Sequence, residues 1–282
     1  MNLEELKNKE EQFKEKEQKL KTIKRMAEYD GEDKVITAEQ AKKLLEEGET
    51  EIHQSNIPHL DDLINGFEDG DLVVISAPTK HGKTTFCQTL TKNFDDNGIT
   101  SLWFSYELQR KSFLNNFGED LPNFTLPKEL SKSSTEWLEQ RIVEAKAKYD
   151  VKMVFIDHLH YLLSLDEAAG KNVSLFIGGI MRELKKIAVR WDVTIFLIAH
   201  MKKTSFDGES MKLSDVRDSS FISQESDITL LMRRKKDSQM ENFTNKTALK
   251  VAANRHTGKT GKVPLAYDNE ENHFYEWTDR DQ

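Results

Sequence analysis

The stretch that decides the fold reads Ala77-Pro78-Thr79-Lys80-His81-Gly82-Lys83-Thr84-Thr85. It follows the apolar run 72–76, and the pattern of residues 84–94 is helical. A strand, a tight loop and a helix in this order bring backbone N–H groups and a helix N-terminus to one point, where they bind phosphate oxygens. The nine residues are therefore predicted to form a phosphate-binding loop at the end of a buried strand.

Two side chains of this loop have predicted tasks. Lys83 would reach the outer phosphates of a nucleoside triphosphate, and the Thr84 hydroxyl would bind its Mg²⁺. Ala77 occupies the position where the strict pattern has glycine, although many ATPases tolerate a small residue there. A chance Gly-Lys-Thr in an ordinary loop is the alternative, and the flanking strand and helix argue against it.

Composition limits the function classes. The 282 residues are 37% hydrophobic, which leaves room for one large α/β domain and an appendage. A net charge of -8 excludes a strongly basic nucleic-acid-binding surface, but it allows a local basic channel. Cys87 is the only cysteine, so neither a disulfide framework nor a cysteine zinc site is expected. No run of about 18 apolar residues and no signal peptide is visible, and we expect a cytoplasmic protein without membrane contact.

The first 50 residues are expected to form a helical arm and linker, with the main domain at 51–282. Residues 1–30 are rich in Glu, Lys and Gln, with Leu6, Phe13 and Leu20 seven residues apart. One apolar residue per heptad is too few for a strong coiled coil, so this helix is either solvated or packs on a neighbouring subunit. Residues 37–40, Thr-Ala-Glu-Gln, resemble a capping box that opens a second helix, to about Glu47, and a linker at residues 48–55 leads into the main domain.

From Ile57 onward, strand and helix patterns alternate. The predicted strands are 72–76, 101–105, 152–156, 193–199, 227–232 and 247–252, and the predicted helices are 84–94, 109–116, 134–148 and 174–190. This order is typical of an α/β fold with a parallel sheet covered by helices on both faces. Ligands of such sheets bind beyond the carboxyl ends of the strands.

Three more strands end in polar residues that could serve such a ligand. Asp157 follows an apolar strand and would hold Mg²⁺ through water. Glu107 could accept a proton from an attacking water, and His200 could contact the γ-phosphate or that water. Considered alone, Asp157 could simply cap a loop, and His200 could be an ordinary packed or solvated surface residue. Beside a phosphate-binding loop they indicate a site for nucleotide hydrolysis.

The order of these motifs resembles the RecA-like ATPase core of DnaB-type ring helicases over about residues 55–277. The resemblance is carried by segments 58–67, 104–108, 156–160, 213–227 and 253–261. His200 fits the phage branch of this family, because bacterial members usually carry glutamine there. The resemblance implies ATP and Mg²⁺ as ligands, and single-stranded DNA as the substrate of a replicative helicase.

A ring of subunits, hexameric in this family, is also implied by the resemblance. Arg255 would act as an arginine finger on the ATP of the adjacent subunit. Ala253 departs from the family, which usually has lysine there, and either slower hydrolysis or compensation by Lys80 or Lys259 is expected. A primase or a loader is a further implied partner.

Contacts with DNA are expected from loops that face a central channel. Lys202 and Lys203 lie in the loop after His200, and Lys171 lies in a second candidate loop at 164–174. Ordinary solvated loop charges are the alternative. The basic run 233–236 could serve an interface, the nucleotide or only solubility.

Two other functions compete with the helicase. One is a recombination ATPase resembling RadA or RecA, although the four-cysteine zinc finger of RadA-like proteins is missing. The other is an ATP-binding regulatory or assembly module with little turnover, which the loss of lysine at Ala253 keeps open. Intact Lys83, Thr84, Glu107 and Asp157 argue against this last interpretation.

Overall fold

The computed structural model describes residues 3–31, 33–47, 51–130, 134–162, 173–201, 211–216, 219–236 and 243–277. The chain divides into two compact units, Met1–Thr50 and Glu51–Gln282. Helices α1 (Leu3–Ala27) and α2 (Ala38–Glu47) belong to the first unit.

The predicted capping box at the start of α2 is confirmed. The Thr37 N–H donates to Gln40 Oε1 over 2.9 Å, and the Gln40 N–H donates to Thr37 Oγ1 over 3.2 Å. These bonds satisfy backbone donors that a helix start leaves without intrahelical partners. On α1, Phe13 is 71% exposed and Leu20 is 58% exposed, so within this unit these two heptad side chains face solvent.

The second unit contains one large sheet with helices around it. Its helices are α3 (Pro58–Ile64), α4 (Lys83–Asp96), α5 (Arg110–Asn115), α6 (Thr135–Tyr149), α7 (Val173–Arg190) and α8 (Ser219–Glu225). Its strands are β1 (Ile52–His53), β2 (Phe67–Glu68), β3 (Leu72–Ala77), β4 (Ser101–Ser105), β5 (Phe124–Thr125), β6 (Met153–Asp157), β7 (Thr194–His200), β8 (Ile228–Lys236), β9 (Phe243–Asn254), β10 (Gly261–Asp268) and β11 (His273–Glu276).

Within the described ranges, nine strands form the main sheet in the order β11-β10-β9-β8-β3-β7-β6-β4-β5. The six strands from β8 to β5 are parallel, as the α/β pattern predicts. The other three run antiparallel, so the expectation of a parallel strand at 247–252 is wrong. Only residues 237–242 separate β8 from β9, too few for the crossover that a parallel pair needs.

Two smaller expectations from the sequence also differ from the structure. The linker expected at residues 48–55 contains β1, which pairs with β2. The basic run 233–236, expected after a strand, lies inside β8, and Arg234 pairs with Thr247 on β9.

Apolar side chains cover both faces of the parallel strands, which explains their continuous apolar sequences. On one face, the Phe155 ring stacks between Trp103 at 4.7 Å and Phe196 at 4.6 Å, against α4. On the other face, α6 and α7 pack through residues such as Leu138 and Leu184. Among the described helices, none has the length and apolar character needed to cross a membrane.

The register brings the carboxyl ends of four strands to one edge. Ala77 at the end of β3 pairs with His200 at the end of β7. Asp157 at the end of β6 pairs with Ser105 at the end of β4. Since β3, β7, β6 and β4 are consecutive in the sheet, the polar residues that follow them share this edge.

Candidate active site

The loop between β3 and α4 is shaped by two residues with left-handed backbone conformation. Lys80 has φ 65° and Gly82 has φ 89°. Gly82 is the residue before α4, so the loop turns directly into the helix N-terminus. A Cβ at Gly82 would lie 3.1 Å from the Phe274 ring, and both the turn and the close contact therefore favour glycine.

Gly82→Ala is predicted to destabilise the protein and to weaken nucleotide binding. The left-handed backbone costs alanine roughly 1–2 kcal/mol, and the contact with Phe274 pushes the loop away from its position. Gly98→Ala is the matched control, because Gly98 has φ 74° but no atom within 4 Å of an added Cβ. Denaturation midpoints and nucleotide titrations should show a stability loss in both variants and a binding loss only in the first. Equal binding in both variants would contradict the role of the loop.

Lys83 is the buried cation of this loop. Its Nζ donates to the carbonyl oxygens of Ala77 at 3.1 Å and Pro78 at 3.2 Å. Burial lowers the pKa of Lys83, while the nearby carboxylates of Asp157 and Glu107 act in the opposite direction. The ammonium group is therefore held at the loop, between the backbone and two carboxylates.

Thr84 and Asp157 join the start of α4 to the end of β6, two strands away from β3 in the sheet. The Thr84 hydroxyl donates to Asp157 Oδ2 over 2.7 Å. Asp157 is fully buried, and burial raises its pKa to about 6. Its second oxygen, Oδ1, accepts no hydrogen bond from the described residues. A buried carboxylate oxygen without a donor, beside a hydroxyl, fits Mg²⁺, which prefers oxygen ligands.

His200 ends β7 and Glu107 follows β4, the two strands on either side of β6, and His158, which the sequence pattern did not single out, follows β6. His158 Nδ1 lies 3.2 Å from Glu107 Oε2, within hydrogen-bonding distance. The rings of His158 and His200 are 4.3 Å apart. Burial lowers the pKa of His158, while Glu107 raises it. The only sequence signal for His158 was its position directly after Asp157.

A pocket of about 450 Å³, a volume typical of small-ligand sites, lies beside the loop. The loop residues from Thr79 to Thr85 line one side, with Glu107 and His200 nearby. On the opposite side lies Arg234, from the basic run 233–236 for which the sequence left the nucleotide open as a partner. Sequence reasoning missed the other five residues there, because they belong to the antiparallel strands and the turn between them: Asn245, Thr247, Tyr267, Asn269 and Phe274. Polar and aromatic groups therefore face the loop across the pocket.

His81 links the loop to the antiparallel strands. Its Nδ1 accepts a hydrogen bond from the Arg234 N–H at 3.0 Å, and its ring meets Phe243 edge to face at 5.0 Å. Burial, followed by the positive charges of Lys83 and Arg233, lowers the pKa of His81 from 6.5 to about 4. His81 is therefore neutral at pH 7 and acts as a hydrogen-bond acceptor.

Acidification is predicted to destabilise the fold through His81. The unfolded chain takes up this proton near pH 6.5 and the folded chain near pH 4. The contribution of the neutral His81 ring to the free energy of unfolding is fully present above pH 6.5 and is lost as the pH falls towards 4. At pH 5 this loss is roughly 1–2 kcal/mol after solvent screening is allowed for. His81→Asn keeps an acceptor for the Arg234 N–H, and its unfolding free energy should fall less between pH 7 and 5. His59→Gln, at an exposed position, should behave like the wild type.

Arg255 lies at the opposite edge of the sheet from the loop. It follows β9, whose Asn254 pairs with Ile228 at the start of β8. Arg255 Nη1 is 3.7 Å from Asp227 Oδ1, its Nη2 donates to the Gln224 carbonyl, and its side chain is 48% exposed. The structure therefore does not bring Arg255 to the loop between β3 and α4 of its own chain.

Of the other lysines named from the sequence, the structure describes Lys80 and Lys259. Lys80 is exposed at the tip of the loop, and Lys259 donates to the Asp62 carbonyl on α3. Lys171, Lys202 and Lys203 lie outside the described residues.

Comparison with known proteins identifies relatives of this architecture. The family model described as the DnaB-like helicase C-terminal domain matches residues 53–117 and 124–276. The chain is 25% identical over 253 residues to the replicative DNA helicase DnaB of Mycoplasma genitalium, covering 76% of this chain and 54% of that protein. It is 24% identical over 248 residues to the replicative DNA helicase DnaC of Bacillus subtilis, covering 76% of this chain and 54% of that protein. The chain thus spans about half the length of these relatives.

Solved structures share the fold. A structure of a DnaB-like replicative helicase and its interactions with primase superposes with a TM-score of 0.70 at 21% identity, covering 88% of this chain and 69% of that one. A second solved structure, of an ATPase domain, also gives a TM-score of 0.70 at 21% identity, covering 85% of this chain and 97% of that domain. The arrangement of strands and helices is therefore RecA-like, as in these proteins.

Proposed function

The chain belongs to the DnaB-like helicase C-terminal domain family, and we propose that it hydrolyses ATP to drive movement along single-stranded DNA during replication. One observation carries the ATPase part. Thr84 at the start of α4 is hydrogen-bonded over 2.7 Å to Asp157 at the end of β6. The second oxygen of Asp157 has no donor among the described residues, and Lys83, Thr84 and Glu107 line one pocket. The family match supports the helicase over the recombination ATPase.

The residues have distinct tasks in this proposal. Lys83 and the N–H groups of the loop neutralise the outer phosphates, and Thr84 and Asp157 hold Mg²⁺, which neutralises developing charge when bound. Glu107 accepts the proton of the attacking water, within reach of His158 and His200. Burial of Asp157 excludes water from this side of the site.

Assembly completes the site. Since Arg255 lies at the far edge of its own sheet, the finger must come from a second copy, and we propose a closed ring of six chains. The helical arm 1–50 would pack on a neighbour. Lys171, Lys202 and Lys203 would contact DNA phosphates in the channel. A primase or loader is a further proposed partner, and a bacterial or phage-infected cytoplasm is the proposed setting.

The test is the ATPase rate per chain as a function of protein concentration, with and without single-stranded DNA. A site shared between subunits should give a rate that rises with concentration, and DNA in the channel should raise it again. A strand-displacement assay then tests the movement itself. A rate that depends on neither variable would contradict the motor and favour an isolated ATP-binding module with little turnover.

A further inference from the structure

Three side chains of metal-ligating types, Glu107, His158 and His200, lie close together, and two of them line the pocket. The candidate ligand atoms of Glu107, His158 and His200 all lie within 4.8 Å of one another. The shortest separation is 3.2 Å, between Glu107 Oε2 and His158 Nδ1. The cluster exists because the three residues follow or end β4, β6 and β7, which are neighbours in the sheet.

The chemistry of this set differs from that of the Mg²⁺ site. Two imidazole nitrogens and one carboxylate oxygen are the ligands of open zinc sites, whereas Mg²⁺ prefers oxygen alone. Two ligands bound tetrahedrally at about 2.1 Å are roughly 3.4 Å apart. The 3.2 Å between Glu107 Oε2 and His158 Nδ1 is close to this value, and side-chain rotation has to bring the His200 ligand atom, which lies within 4.8 Å of both, to the same ion.

The surroundings favour a cation there. Asp157 Oδ1 lies 3.9 Å from His158 Nδ1 and adds a second negative charge beside Glu107. The open side faces the pocket, which Glu107 and His200 both line, so an ion can enter from solvent. A second group, Glu51, His53 and Asp69, is different. The Lys152 ammonium lies 3.2 Å from Glu51 and 3.9 Å from Asp69 and already supplies the positive charge there.

We propose that Glu107, His158 and His200 bind a divalent transition-metal ion of the Zn²⁺ type, separate from the Mg²⁺ of the nucleotide, and that this ion inhibits ATP hydrolysis. The inhibition rests on the proposed function, in which Glu107 accepts a proton from water. A carboxylate oxygen that donates its electron pair to a metal ion is a much weaker base. The metal-bound and hydrolysing states therefore exclude each other.

The binding test uses Co²⁺, whose visible absorption reports coordination number. The full chain, treated with chelator and free of nucleotide, should bind one Co²⁺ per chain with the intense bands of a four-coordinate ion, and Zn²⁺ should displace it. His158→Asn and His200→Asn should each weaken binding at least about tenfold. Thermal unfolding checks that each variant is folded, and Glu107→Gln provides a third probe if one is not.

His160→Asn is the matched control. The His160 ring lies 5.5 Å from that of His158 and 5.7 Å from that of His200, but His160 is outside the set of three. Its variant should bind Co²⁺ like the wild type. Absence of stoichiometric binding, or an equal loss in the His160 variant, would overturn the assignment.

Hydrolysis provides the second readout. Zn²⁺ equimolar with the chain, in excess Mg²⁺ and ATP, should lower turnover at least about tenfold, and a chelator specific for Zn²⁺ should restore it. If ATP turnover stays unchanged when Zn²⁺ fully occupies the site, the proposed inhibition is wrong. Turnover without Co²⁺ binding would refute the metal site and leave the proposed function intact. Co²⁺ binding in a chain that never hydrolyses ATP would refute the proposed function and support the metal site.

Discussion

Lys83→Ala is expected to lower ATP hydrolysis at least about 100-fold, because it removes the cation nearest the outer phosphates. Lys83 is buried and its ammonium is bound by the carbonyl groups of Ala77 and Pro78, so no solvent cation can take its place without moving the loop. The measurement is steady-state turnover at saturating ATP and at a protein concentration that supports assembly.

The control for this prediction is Lys92→Ala. Lys92 lies farther along the same helix, and its ammonium donates to the Glu271 carbonyl at 2.8 Å. The Lys92→Ala variant also loses a lysine from α4, but its turnover should stay within about twofold of the wild type. Normal turnover in the Lys83 variant would refute the assignment of the loop.

Arg255→Ala is expected to reduce turnover on the order of 10³-fold in the assembled protein while ATP binding stays nearly normal. The side chain is half exposed and pairs with Asp227 at 3.7 Å, so its removal costs little stability. Arg190→Ala is the matched control, because Arg190 is similarly exposed and pairs with Glu139 at 2.7 Å. Its turnover should remain close to the wild type.

Mixing the two inactive variants tests whether the site is shared. In a random mixture of Lys83→Ala and Arg255→Ala chains, about a quarter of the interfaces combine an intact loop from one chain with an intact arginine from the other. Turnover should therefore recover well above that of either variant alone. A mixture as inactive as its components would mean that Arg255 does not act on the neighbouring ATP.

The strand-end residues were predictable from the sequence because parallel strands that alternate with helices bring their carboxyl ends to one edge. Glu107, Asp157 and His200 were selected in this way, and the structure brings them beside Lys83 and Thr84. Their positions follow from local pattern and from one topological rule. The functions of these residues remain predictions that the variants above test.

The far side of the pocket could not be predicted in the same way. Residues such as Asn245 and Tyr267 reach it because β9 runs antiparallel to β8, and β10 runs antiparallel to β9. The sequence pattern indicated one more parallel strand at 247–252, since apolar runs look alike whichever direction the chain takes. His158 was missed for a related reason, because its distances to Glu107 and His200 depend on three different strands.

The sequence by itself determined the loop between a buried strand and a helix, the buried parallel strands and the capping box of α2, since each depends on residues that are near one another along the chain. Only the tertiary structure decided which distant residues share a site. The strand order brings Asp157 within 2.7 Å of Thr84, and the antiparallel β9 carries Arg255 to the opposite edge. Strand order and direction depend on contacts between residues far apart in the chain, and local pattern does not encode them.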